Sequence, residues 1–314
     1  MLQIILTSLT EFKLVLNILK NENDHLYVDS KLLEIFKKGS TTYFNSSIFF
    51  PPKVRRDVTR LYAFVRVADN YVDSVPQEVE EFYEFVEEFY KARKKGGSQD
   101  VVIDNFVKLE KEKRFDESWA DSFLRSMEMD IYKKKYTTLN ELEEYMYGSA
   151  EVIGLMMSRI LGLDSEAEPY AKMLGRSMQF VNFIRDVKED LSLNRQYIPS
   201  EVLEKFGLSS LKEEEVIGHT EEFERMMRYV IELYFDWVKE GEKGYKFIPY
   251  RYLIPIKTAN DMYKWTAKVI YKSPLVVYST KVKPRKNKII ARAIENALGV
   301  PVWRYFSNIL LIRK

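Results

Sequence analysis

An all-α fold is predicted by three observations. Apolar residues recur at helical spacing along most of the chain, no alternating strand runs joined by hairpin turns appear, and the breaks carry helix start and stop signals. Helices are expected near 28–38, 53–75, 77–94, 117–135, 139–162, 166–191, 221–241, 246–271 and 285–298. Pro51-Pro52 opens the second, because the first helical turn has no use for the missing N–H. Gly96-Gly97-Ser98 closes the third and begins a loop. Thr138, followed three residues later by Glu141, reads as a capping box ahead of 139–162. Pro199 and Pro274 mark further breaks. No composition shift, low-complexity linker or internal repeat divides the 314 residues, so one domain is expected over 1–314.

Composition narrows the function classes. Apolar residues make up 46% and aromatics 14%, ample for a core. A formal net charge of +2 offers no electrostatic case for a nucleic-acid partner. The absence of cysteine excludes disulfides, thiolate metal sites and a cysteine nucleophile, and fits a cytoplasmic enzyme. The two histidines, His25 and His219, lie in unrelated surroundings, which argues against a histidine triad or zinc site. No apolar run reaches the ~18 residues that span a bilayer, and Met1–Leu9 lacks the basic region and cleavage site of a signal peptide. The apolar, aromatic tail 302–312 has two readings: a segment docked on the core, or peripheral contact with a membrane holding a greasy substrate or product.

The chemistry resides in two Asp-x-x-x-Asp segments. Fifteen aspartates predict roughly one such spacing by chance, and three occur. The pair Asp100 and Asp104 lacks Arg, Gln or Asn nearby and reads as negative charge in the first turn of a helix. The other two keep different company. On a helix, Tyr62, Arg66, Asp69 and Asp73 fall within roughly 60° of one another, and Gly175, Gln179, Asn182, Asp186 and Asp190 within roughly 80°. The residues between them (Phe64, Val65, Val67, Ala68 and Val72; Phe180, Val181, Phe183 and Ile184) are apolar, so both helices should be substantially buried. Carboxylates four apart repel, and burying four uncompensated charges is prohibitive. Hard divalent cations shared with a phosphorylated substrate resolve the conflict, since Mg2+ favours a few carboxylates plus phosphate oxygens. Interhelical salt bridges to Arg66 and Arg185 are the competing reading. Gly148 and Gly154, each inside a helical stretch, cost roughly 1 kcal/mol relative to alanine; close helix packing and room for an isoprenoid chain explain them equally well.

These residues together resemble the squalene/phytoene synthase family of head-to-head prenyltransferases, from about Ser40 to Lys288. The resemblance is carried by Tyr62-Ala-x-x-Arg66-x-x-Asp69-x-x-x-Asp73, by Tyr147-Gly-Ser-Ala150 with Gly154, and by Gln179-x-x-Asn182-x-x-Arg185-Asp186-x-x-x-Asp190. The last continues into Asn194-Arg195-x-Tyr197-Ile-Pro199. It implies an isoprenoid synthase fold, a helical bundle around a central active-site cavity. It further implies that Asp69, Asp73, Asp186 and Asp190, helped by Asn182, bind Mg2+ or Mn2+ holding prenyl diphosphates. Arg66, Arg185 and Arg195 would contact diphosphate oxygens, with Lys281 a further basic candidate. Gln179 would line the site, and Ser40, Thr41 and Tyr43 match a diphosphate-contacting segment and aromatic wall. Tyr62, Tyr145, Tyr197 and Tyr263 would flank the reacting carbons. Gly39 departs from the pattern, standing where several relatives have histidine or another larger polar residue.

The implied chemistry is ionisation of one prenyl diphosphate, attack by the double bond of a second to give a cyclopropylcarbinyl diphosphate, then a second ionisation and rearrangement. Metal ions and cationic side chains make the diphosphate a leaving group, and aromatic faces and water exclusion protect the carbocation. The Arg185-to-Pro199 pattern is nearer phytoene synthases, so two geranylgeranyl diphosphates giving phytoene is the expected reaction, in carotenoid biosynthesis. Two farnesyl diphosphates giving squalene, with NADPH, or dehydrosqualene is the alternative. A non-catalytic scaffold of the same fold is the reading from another class, and the presence of all four aspartates speaks against it. A class I terpene cyclase would need Asn/Asp-x-x-Ser/Thr-x-x-x-Glu, which does not follow Asn182.

Overall fold

In the computed structural model, which describes residues 29–299, the chain is helical, and the only β pairing among the described residues is an isolated bridge between Lys135 and Gln196. The helix starts follow local chemistry. Asp29 caps Ser30–Gly39 by accepting from Lys31 N at 2.8 Å, and Thr138 caps Leu139–Met146 by accepting from Glu141 N at 3.2 Å. The reciprocal arm of the expected capping box shifts by one residue: the Glu141 carboxylate accepts from Thr137 N at 2.6 Å. Asp100 caps Val101–Lys113 by accepting from Val102 N and Ile103 N, and Asp104 sits in that first turn. The third aspartate pair is thus a helix start, as expected.

Three departures from the expected elements matter. Val101–Lys113 is a full helix outside the expected set, although Val102, Ile103, Phe106, Val107 and Leu109 carry helical spacing and are buried. The expected 139–162 helix contains a π turn, Tyr147–Glu151, with Val152 N donating to Tyr147 O. The expected 166–191 helix runs only over Glu168–Arg185, because Asp186 leaves helical geometry (φ −99°, ψ 17°) before Val187–Ser192 resumes. Short helices at Thr41–Ser47, Ser200–Lys205 and Glu213–Gly218 were below the length at which apolar periodicity is readable.

Two large cores flank the site. One gathers Pro52–Asp73, Val79–Lys95, Val101–Lys113, Glu117–Tyr132 and Val152–Leu161, with Phe64 at its centre, stacked on Phe106 at 3.8 Å. The other gathers Glu168–Arg185, Thr220–Glu242 and Tyr250–Lys272. The first Asp-x-x-x-Asp belongs to the first core and the second to the other, and Tyr43 packs against both. As expected from the intervening residues, Phe64, Ala68, Val72, Phe180, Val181, Phe183 and Ile184 are all buried.

Between these cores lies a cavity of about 280 Å³. Its wall includes Ser149, Ala150 and Gly154 on one side and Ala171, Gly175 and Met178 on the other. Of the two glycines singled out in the sequence, Gly148 is closely packed, a Cβ there lying 2.2 Å from Ser122 O, and does not line the cavity, whereas Gly154 does. A Cβ on Gly154 would lie 2.2 Å from Ala171 O, and one on Gly175 2.5 Å from Ala150 O, so the helix backbones touch where they line the cavity. Gly154→Ala is expected to cost about 2–3 kcal/mol through overpacking against that rigid carbonyl, read as a fall in Tm of several degrees with helical circular dichroism intact. An unchanged Tm would contradict this packing.

Candidate active site

Asp69 and Asp73 occupy the last turns of Pro52–Asp73, and Arg66 Nη1 donates to Asp69 Oδ2 at 2.6 Å. One turn earlier Tyr62 stacks on Phe36 at 4.2 Å and lines the cavity. Gly39 explains its own departure: a Cβ there would sit 2.4 Å from the Tyr62 hydroxyl, so the glycine makes room for this tyrosine. On the other side Arg185 Nε donates to Asp186 Oδ1 at 2.7 Å, and Lys281 Nζ approaches that carboxylate to 3.3 Å while also pairing with Glu189. The salt-bridge reading of Arg66 and Arg185 is therefore realised within each segment and not across the two helices.

Arg195 makes the connection across. Its backbone N donates to Asp190 O at 2.8 Å, its Nη1 to Asp73 Oδ1 at 2.6 Å and its Nη2 to Val72 O at 2.5 Å. It is 3% exposed. In this arrangement the guanidinium joins the two aspartate segments and, like those of Arg66 and Arg185, is paired with a site carboxylate.

Tyr145 and Tyr197 both donate their hydroxyls to Asp130, at 2.6 and 2.8 Å, and like Tyr263 they lie outside the cavity lining. Their rings pack with Tyr136 and Phe183. Asp130 is the residue that sequence reasoning missed. It belongs to no motif, but it continues the buried Phe123, Met127 face of Glu117–Tyr132, and a carboxylate at a core position is a signal in itself.

The remaining candidates separate clearly. Gln179, Asn182, Tyr43 and Tyr62 line the cavity. Tyr263 packs against Tyr43 with ring centroids 5.6 Å apart. Ser40 caps Thr41–Ser47, its hydroxyl accepting from Tyr43 N at 3.1 Å, and Thr41 is exposed at the start of that helix.

The comparisons with known proteins agree with this geometry. Residues 36–288 match the family model described as squalene/phytoene synthase. The chain belongs to the squalene/phytoene synthase family. It is thereby an enzyme of the prenyltransferase class with the all-α isoprenoid synthase fold. It is 24% identical over 258 residues to the 15-cis-phytoene synthase of Synechocystis, covering 76% of this chain and 74% of that one. It is 32% identical over 190 residues to the phytoene synthase of Thermus thermophilus, covering 56% and 61%. Among solved structures it resembles squalene synthase HpnC from Alicyclobacillus acidocaldarius, with a TM-score of 0.69, 20% identity and coverage of 79% and 93%. A dehydrosqualene synthase crystallised with ligand gives a TM-score of 0.72, 20% identity and coverage of 84% and 94%.

Members of this squalene/phytoene synthase family use a divalent metal, and the donor set here fits one. Burial, then the neighbouring Asp73, pushes the Asp69 carboxyl up to about 7, against Arg66. Burial, then Asp186 and Asp73, holds Asp190 well above the usual carboxylate range. Asn182 Oδ1 is buried without a hydrogen-bond donor. Crowded carboxylates and an orphaned oxygen are what a hard cation relieves. Among the described residues no three carboxylate or imidazole groups converge to hold an ion by themselves.

The raised Asp69 has a consequence for stability. With a folded value near 7 against an ordinary 3.8, the native state retains a proton that the unfolded chain releases. Its contribution to stability is therefore greatest at low pH and is lost as pH rises between those values. In chelator, Asp69→Asn is expected to become more stable than the parent as pH rises from about 4 to about 7, by roughly 2 kcal/mol after allowing for partial exposure. Parallel Tm profiles for the two proteins would show that Asp69 ionises freely in the fold.

Proposed function

We propose that the protein is a phytoene synthase, joining two geranylgeranyl diphosphates head to head through a cyclopropyl diphosphate, in Mg2+-dependent fashion. The observation that carries the choice of substrate is the length of the cavity. It follows the Glu168–Arg185 helix from Asn182, one turn from Asp186, back to Ala167. At the helical rise per residue that path is about 22 Å. An extended geranylgeranyl chain, about sixteen carbons along its backbone, spans about 19 Å from ordinary C–C geometry, and a farnesyl chain about 14 Å. The names of the curated relatives point the same way.

In this reading Asp69, Asp73, Asp186, Asp190 and Asn182 would hold a divalent metal, which would supply charge neutralisation for the diphosphate leaving group. Arg66, Arg185 and Lys281 are paired with site carboxylates in the free protein and turn to diphosphate oxygens when substrate arrives. Tyr43, Tyr62 and Tyr263 present ring faces towards the forming carbocation, and the apolar wall keeps water from it. No helix among the described residues is long and apolar enough to cross a membrane. The tail 302–312, read from sequence as a membrane contact or docking segment, lies outside the described residues.

The decisive assay incubates the purified protein with Mg2+ and either C15 or C20 diphosphate, with and without NADPH, and identifies the hydrocarbon. Phytoene formed without reductant is expected. Squalene formed only with NADPH would overturn the proposal, and no turnover of either substrate would favour a scaffold. Asp69→Asn and Asp186→Asn are each expected to lower kcat by at least about a thousandfold with the helical fold intact; retained activity would refute the metal assignment. Cavity length has its own test. Ala171 lies eleven residues before Asn182, leaving about 16 Å of path ahead of it. Ala171→Phe is expected to reduce kcat/KM for the C20 substrate roughly a hundredfold while sparing the C15 substrate. Equal losses for both would mean that chain length is measured elsewhere.

A further inference from the structure

Asp130 is a buried carboxylate at the site that the chemistry above leaves without a task. It sits near the end of Glu117–Tyr132 and is 3% exposed. Its Oδ2 accepts from the Tyr145 hydroxyl at 2.6 Å and its Oδ1 from the Tyr197 hydroxyl at 2.8 Å. The Tyr197 oxygen lies 3.5 Å from Arg195 Nη1, the nitrogen that donates to Asp73. Tyr136, Tyr145, Tyr197 and Phe183 enclose this group in aromatic rings, so solvent screens it little. Burial works against the charge of Arg195, and Asp130 heads the groups that offset it.

We propose that Asp130 is a positioning residue for Asp73, acting through Arg195. It supplies the guanidinium's counter-charge, so that Arg195 orients the Asp73 carboxylate without cancelling the negative charge that carboxylate offers to metal and diphosphate.

Asp73, Arg195 and Asp130 together carry one net negative charge. Take Asp130 away and the remaining pair is neutral: Asp73 is still held in place, but its charge is spent on the arginine. A purely bracing role makes a different demand. In that case the two tyrosine hydroxyls support a helix end, stability falls when Asp130 is replaced, and metal affinity of the folded variant stays the same.

The inference rests on the reading of the aspartates as a metal–diphosphate site, and the test separates the two. Mn2+ is titrated into the full chain with inorganic pyrophosphate present, at about pH 8, above the value near 7 to which Asp69 is pushed, and free Mn2+ is followed by electron paramagnetic resonance. If the parent protein binds no Mn2+, the site reading itself fails and this inference falls with it. Given binding by the parent, Asp130→Asn is expected to weaken it about tenfold. Asp130→Glu keeps the charge and is expected to bind within about threefold of the parent. Parent-like affinity in Asp130→Asn, or an Asp130→Glu variant as weak as Asp130→Asn, overturns the proposal. If Asp130→Asn does not fold, Asp130→Glu decides alone: affinity within about threefold of the parent supports the charge account, and lost binding in a folded Asp130→Glu contradicts it.

Discussion

The site depends on holding four half-buried carboxylates within electrostatic reach of one another. Like charges at this density resist both burial and one another, and the surrounding protein is arranged around that resistance. Arg66 answers Asp69, Arg185 and Lys281 answer Asp186, and Arg195 answers Asp73. Asp190 has no ion pair among the described residues, and burial with its acidic neighbours holds its carboxyl well above the usual carboxylate range. The cations that a diphosphate would attract are thus already in place in the free protein. Arg195 has a second part, because it joins the segment after Asp190 to the end of the helix bearing Asp73. Through it the two cores share one site.

The apolar half of the site follows from a different constraint. A long hydrocarbon needs a smooth channel, and helices packed at ordinary distance leave none. Gly154 and Gly175 bring the helix backbones into contact, and their missing side chains, with those of Ala150 and Ala171, leave the wall low. The π turn at Tyr147–Glu151 occurs along the same wall, adding one residue to the helical repeat where Ser149 and Ala150 face the cavity. Close packing and an open channel are consequences of the same small residues.

Much of this was legible in the sequence because it rests on local pattern. The helices bearing the aspartates, the burial of most of their intervening residues and the cap at Thr138 all follow from periodicity and cap chemistry. The partners of Arg195, Tyr145 and Tyr197 were hidden because a motif shows that residues belong together without showing which way they point. The two tyrosine hydroxyls donate to Asp130, which belongs to no motif, and Arg195 turns to Asp73 and Val72 O. The break at Asp186 was equally hidden, since Phe183 and Ile184 before it and Val187 after it keep helical spacing through a residue whose ψ of 17° ends the helix. Gly39 could be understood only once Tyr62 was seen beside it.

The most direct measurement is a crystal structure with Mn2+ and inorganic pyrophosphate, with the ions located by anomalous scattering. Ions are expected between pyrophosphate oxygens and the carboxylates of Asp69, Asp73, Asp186 and Asp190, with Arg66 and Arg185 released onto the pyrophosphate and Arg195 still joining Asp73 to the Asp190 segment. Pyrophosphate bound elsewhere, or aspartates that keep their present ion pairs with no ion beside them, would contradict a single metal–diphosphate site built from the two segments.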